Sequence, residues 1–143
     1  MNDIISFEKE LIFDKKFVAA YYLKTERCII CEALSTYIPT TQFQEAFNEL
    51  AVFISNNSVE KFIFDKRTLK VFDQNAMSWY HTEWKEQLLE KGLKTYRKLL
   101  PLDNLFRKSV EIGLQKIKTE NPHFRFENYD IQYVENLEEA VRN

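Results

Sequence analysis

The chain has 143 residues with 45% hydrophobic and 29% charged content, enough to bury a core of its own and too apolar for an intrinsically disordered segment. Its 20 basic and 22 acidic residues leave a formal charge of −2, which lacks the basic excess of nucleic-acid-binding modules and argues against such a partner. No apolar run approaches the roughly 18 residues of a membrane span. The N-terminal "MNDIISFEKELIF" puts acids where a secretory leader carries bases, so a cytoplasmic location is expected.

The chain opens as a β meander. "IISFEKELIFD", "KFVAAYYLK" and "RCIICEAL" are rich in Ile, Phe, Val and Tyr and are separated by charged breaks. The only cysteines, Cys28 and Cys31, lie in the third of these. In a strand, residues three apart point to opposite faces. A redox pair would instead need its first thiol at a helix N-terminus, and zinc would need further ligands where only His81 and His123 are available. Structural cysteines are therefore expected, with redox and metal roles as the alternatives.

"YIPTTQFQEAFNELAVFISNNS" reads as a helix. Thr41 and Gln44 have capping-box spacing, and Phe43, Phe47, Leu50 and Ile54 share one face. "KFIFD" is a short buried strand. "FDQNAMSWYHTEWKEQLLEKG" then starts a helix at the cap Asp73 and stops at Gly92, with Phe72 and Met77 at hydrophobic-staple positions. Its buried stripe is Met77, Tyr80, Trp84 and Leu88. Trp79 lies about 100° round the helix, either exposed as a binding hot spot or packed on a neighbour.

"LKTYRKLL" reads as a strand broken by Pro101. Asp103 then caps a helix with Phe106, Val110, Leu114 and Ile117 inward. "FRFENYDIQYV" alternates well enough for one or two strands, and Asn136 with Glu139 caps a final short helix, "LEEAVR". A meander followed by strands alternating with helices gives an α/β fold on the α+β border. Its mixed sheet is antiparallel at first, with helices on the later crossover connections. No linker or repeat divides the chain, so one domain over 1–143 is expected.

The stretch "FIFDKRTLKVFDQNA" resembles STAS-type domains, the fold of bacterial anti-sigma-factor antagonists and of lipid-transfer-like relatives. In antagonists, a strand ending in an acid is followed by a loop, an apolar pair and an Asp-Ser-Ser/Thr-Gly helix start. Here Asp65 ends the strand and "VFDQNA" supplies the apolar pair with Asp73 at the helix start. The closing "IQYVENLEEAVRN" is similar to the last strand and helix of small uncharacterised bacterial proteins of this arrangement. The resemblance implies a regulatory, protein-binding module. It departs from the pattern at the switch: Gln74 and Asn75 stand where a phosphorylatable Ser or Thr would, and Ser78 lies one turn into the helix, so phospho-switching at that motif is not expected.

Two surfaces are candidates for binding. One is the strand–loop–helix junction, with Asp65, Lys66, Arg67, Gln74, Asn75 and Trp79 contacting a protein partner; the bland reading is a solvated turn and a capped helix. The other is a cationic rim of Arg97, Lys98 and Arg107 for an anionic head group or an acidic surface; its bland reading is a charged edge strand. The aromatic share of 15% fits either a Phe-rich core or a carrier of an apolar or amphipathic small molecule such as a lipid. Homodimerisation through a sheet edge is a third use. No Ser–His–Asp set, His-x-x-x-His, glycine-rich phosphate loop or paired carboxylates appear, and His81 and Glu83 are two apart on a helix and do not face each other. A non-catalytic protein without cofactor or metal is expected.

Overall fold

The computed structural model describes residues 7–143. The first expected strand is shorter than its apolar pattern, running over Glu10–Asp14, and its expected start at 4–6 lies outside the described residues. It is β1 of a sheet with β2 (Val18–Leu23), β3 (Cys28–Ala33), β4 (Lys61–Asp65), β5 (Thr95–Leu99) and β6 (Asp130–Tyr133). The six strands lie in chain order, β1-β2-β3-β4-β5-β6. β1, β2 and β3 pair antiparallel, whereas β4, β5 and β6 each join in parallel, as crossover helices require.

The helices are α1 (Thr40–Asn56), α2 (Gln74–Trp79), α3 (Lys85–Leu89), α4 (Asn104–Glu120) and α5 (Leu137–Arg142). A π-helical turn over Tyr80–Trp84 joins α2 to α3. The stretch 124–134 makes one strand rather than two, because Phe126–Asn128 closes into a 3₁₀ turn before β6. Asp103 and Asn136 cap α4 and α5 as expected, accepting from Leu105 N at 2.9 Å and Glu139 N at 2.8 Å. The expected capping box of α1 does not form. That helix begins at Thr40 after Pro39 and has no side-chain cap; the Thr40 hydroxyl donates instead to Asp73 Oδ2 at 2.5 Å.

Burial follows the strand alternation. On one face of the sheet, Ile29, Cys31, Phe62, Phe64 and Tyr96 pack under α1, α2, α3 and α4 in a core rich in aromatic rings. Phe47 sits at its centre, 5.1 Å from Trp84 and 5.7 Å from Phe62 between ring centroids, and the Trp84 indole donates to the Phe47 carbonyl at 2.6 Å. On the other face, Cys28, Ile30, Ile63 and Leu99 pack against α5 through Leu137, Ala140 and Val141. Lys61 fastens α5 there, donating to the carbonyls of Ala140 and Val141 at 2.9 and 2.8 Å, where a cation complements the negative end of the helix dipole.

The two cysteines are free, buried and on opposite faces, as the pleat dictates. Among the described residues no group of three or more His, Cys, Asp or Glu side chains could hold a metal ion, and no helix is long and apolar enough to cross a membrane.

Candidate functional site

The junction after β4 is built from two carboxylates, and both are committed within the chain. Asp65 is buried and accepts a fork from Arg67, Nε to Oδ1 at 2.9 Å and Nη2 to Oδ2 at 2.8 Å, plus the Arg67 backbone N–H at 3.1 Å. A planar guanidinium closing on the carboxylate two residues before it fixes the turn. Asp73 accepts from Ala76 N at 3.0 Å, capping α2, and also from the hydroxyls of Thr40 and Tyr37 at 2.5 and 3.0 Å. Burial raises its pKa, but these bonds and one from the Asn75 backbone outweigh that and hold the carboxyl below its ordinary value.

Gln74 turns toward α4, its amide donating to the Gly113 carbonyl at 3.3 Å. Gly113 is where the two helices close on each other: a Cβ there would stand 2.7 Å from Gln74 Oε1 and 3.2 Å from both Met77 Sδ and Phe72 Cζ. Asn75 is exposed beside it. Trp79 is partly buried, its ring edge-on to Phe43 at 6.2 Å, so of the two readings of this tryptophan the packed one describes its position.

Lys66 does not sit on the solvated turn. Phe62, Phe64 and Lys66 alternate onto the helix-covered face, and Lys66 is only 7% exposed, its ammonium 5.0 Å from the Phe64 ring centroid. Lys98 likewise follows Tyr96 onto that face and lies 4.6 Å above the Tyr133 ring. β5 is flanked by β4 and β6, so it is an interior strand rather than a charged edge. Arg97 points to the opposite face, where it donates to Asp130 Oδ2 at 3.0 Å and to the Asn143 carbonyl at 3.1 Å. Arg107 donates through Nε to the Pro101 carbonyl at 2.8 Å. Arg97 and Lys98 therefore do not share one rim; adjacent strand residues are separated by the sheet itself.

The π turn adds two polar side chains to this interior. With one extra residue in the turn, the inward face takes Tyr80, His81, Trp84, Lys85 and Leu88, all buried. Lys85 is sealed among rings, 4.2 Å from the Tyr96 centroid and 4.7 Å from that of Tyr80. His81 lies against Phe126 at 5.5 Å, with its Nδ1 lacking a hydrogen bond. Burial pushes the amines of Lys66, Lys85 and Lys98 and the imidazole toward their neutral forms, and the neighbouring lysines add to it at Lys66, Lys85 and His81. Lys66 falls to about 7 and Lys98, by burial alone, to about 8. The sequence carried a signal for this cluster. Lys66 continues the period of two of β4, and "YHxxWK" widens the helix stripe at i, i+1, i+4 and i+5.

Two concavities border the junction. A cavity of about 40 Å³ lies between β4, α1, α2 and α4, walled by Phe43, Phe64, Leu69, Met77, Phe106 and Val110, with Lys66, Asp73 and Tyr80 as its polar lining. A wider surface groove of about 340 Å³ runs between the β4–α2 loop and the first turns of α4, past Lys70, Val71, Gln74, Asp103, Leu105 and Ser109. Phe72, Val71 and Phe106 form the partition between the two. Leu105 and Val71, in its lining, are 75% and 55% exposed.

No family model and no curated protein matches the sequence. Among solved structures, the chain is similar to the anti-sigma-factor antagonist SpoIIAA in its unphosphorylated form. The match has a TM-score of 0.55 at 11% identity and covers 94% of this chain and 93% of that one. The fold is thus the STAS fold that the strand–loop–helix stretch resembles, an α/β arrangement on a mixed six-stranded sheet.

Proposed function

We propose that the protein is a non-catalytic regulatory module that binds another protein through the groove between the β4–α2 loop and α4. The STAS fold it shares with an anti-sigma-factor antagonist favours a regulatory protein-interaction role. The observation that carries the assignment to this face is the exposure of Leu105 and Val71 in the lining of a concave surface. Large apolar side chains grouped in water at a groove with a polar rim mark a surface that meets a partner. The rim is polar and of both signs, with Lys70 and Asp103 facing the groove, which suits a partner side chain that is apolar at its centre and polar around it.

The junction residues divide their labour in this reading. Asp65, Arg67 and Asp73 hold the loop and the helix start in place; Gln74 fixes α2 against α4; Asn75 lies exposed next to the groove. With Gln74 and Asn75 at the start of α2, binding proceeds without phosphorylation at those positions. The module works in the cytoplasm, where it meets its partner as a folded domain spanning the chain.

Site-specific photo-crosslinking in the native host tests the assignment. A photoreactive residue at Leu105 is expected to trap one discrete partner, and the same residue at Gln115, three turns along α4, to trap none. Equal or absent crosslinking at the two positions would remove the groove as the binding face. A crosslink to a second copy of the chain would identify the partner as itself.

A further inference from the structure

Lys66 is an amine with nothing to hold a proton on it. It is 7% exposed, its Nζ lies 5.0 Å from the Phe64 ring centroid, and among the described residues no carboxylate comes within ion-pair distance of it. The carboxylate on the neighbouring cavity wall, Asp73, is taken up by Tyr37, Thr40 and Ala76 N, and Asp65 points to the other face with Arg67. The other titratable groups around it are Lys98 from β5, Cys31 from β3, Tyr80 and His81 from the π turn and Lys85 from α3. All of them are kept toward their uncharged forms by burial. An uncharged amine is a nucleophile. A lysine in water spends that capacity on a proton and is neutral in about one copy in a thousand at about pH 7.5.

The cavity that Lys66 lines narrows what this nucleophile can meet. Its volume of about 40 Å³ has room for about one or two water-sized groups. Its lining side chains are apolar apart from Lys66, Asp73 and Tyr80. A tenant must therefore be very small, uncharged as it enters, and suited to a free amine rather than an ammonium. Carbon dioxide meets all three conditions: it is triatomic, linear and neutral, and its carbon is attacked by free amines and not by ammonium ions. Val71, in the same lining, is 55% exposed, which puts the surface one side chain away.

We propose that Lys66 is a reversible carbon dioxide site, its amine forming a carbamate whose carboxyl group fills the cavity. The Nζ lone pair makes the new N–C bond while one C=O electron pair moves onto oxygen, and the nitrogen then releases a proton. The amine of Lys98, which stands beside Phe64 on the next strand, accepts that proton. Carbamate anion and counter-cation thus arise together, and the Tyr80 hydroxyl on the cavity wall is the donor to the new carboxylate. Nothing is oxidised or reduced, and loss of carbon dioxide returns both amines. The site is separate from the groove, and its occupancy needs no protein partner.

The full chain is equilibrated with ¹³C-labelled bicarbonate at about pH 7.5 and quenched with triethyloxonium, which converts a carbamate to a stable ethyl ester for peptide mass mapping. Labelled ester is expected on Lys66 at a level at least about tenfold above that on exposed Lys91. The excess should vanish when the chain is unfolded in guanidinium chloride. In ¹³C spectra of the folded chain, the matching carbamate carbonyl signal should be lost in Lys66→Met, which leaves an apolar stem in the cavity. No label on Lys66, equal label on Lys66 and Lys91, or an excess that survives unfolding would overturn the proposal. So would a spectrum unchanged by Lys66→Met. None of these readouts depends on the crosslinking result.

Discussion

The Lys85 ammonium stands 4.2 Å above the centre of the Tyr96 ring and is 1% exposed, so its charge is met by a π face where a carboxylate would ordinarily be. A cation–π contact returns about 2 kcal/mol when desolvated, less than full burial of an ion costs. Folding therefore favours the neutral amine here, as it does at Lys66 and Lys98.

This has a measurable pH signature. A lysine whose folded pKa is lowered is protonated in the unfolded chain but not in the folded one between the two values, so stability rises with pH across that window. For Lys66 the window opens at about 7 and for Lys98 at about 8, and both close at 10.5. Above the ordinary thiol value of 9.0 the opposite sign enters, because burial raises Cys28 and Cys31 and only the unfolded chain then releases their protons. Urea unfolding should show stability climbing by about 3 kcal/mol from about pH 7 to about pH 9, where the rise levels off. A flat or falling profile over that range would show the amines to be charged in the folded state.

Gly113→Ala should loosen the α2–α4 contact. Alanine adds about 1 kcal/mol of helix propensity. Its methyl, however, meets Gln74 Oε1 at 2.7 Å and two further atoms at 3.2 Å. Overpacking of this kind costs about 1–3 kcal/mol, so net destabilisation by about 1 kcal/mol is expected in denaturant titrations. Adding Gln74→Ala should recover part of the loss; additive effects in the double variant would mean the clash is relieved elsewhere.

Asp73→Ala removes the α2 cap together with the anchor for Thr40 and Tyr37. A loss of about 2 kcal/mol is expected, at the upper end for a single cap. Asp73→Asn, which keeps an acceptor, should cost less. The wild-type contribution should fade as the pH drops through the lowered carboxyl pKa, since a depressed acid stabilises only while ionised in the folded state.

The thiols should be inert while the chain is folded. Cys28 is pushed up to about 12 by burial, and burial, with Asp65 and Glu32 adding to it, raises Cys31 well above its ordinary value. Iodoacetamide at about pH 8 should modify neither in the native protein and both in urea. Fast native labelling of Cys31 would contradict its burial.

Much of this architecture is legible in the residues. The strands show through their runs of β-branched and aromatic residues between charged breaks, and Met77, Tyr80, Trp84 and Leu88 through helical spacing; Asp73 announces the start of α2. The interior cluster is marked only by spacing and masked by residue type, for two reasons. Lys66, His81 and Lys85 belong to residue types that usually face water, so a pattern read by polarity sends them outward. The π turn shifts the phase of the helix by one residue, which no uniform 3.6 period contains. At the junction, a carboxylate reads the same whether it waits for a partner or is already paired; only the positions of Arg67, Thr40 and Tyr37 decide that. Gly113 is a clue of a different kind, a glycine inside a strongly periodic helix, which signals a close neighbour.

The strand order has a consequence for how the molecule is made. Because β1 to β6 lie side by side in the order of the chain, each strand is laid on an edge that its predecessor has just completed. No strand must be threaded between two that are already paired, and no early strand waits for a distant partner. Such a sheet grows by accretion in one direction, in step with a chain emerging from the ribosome.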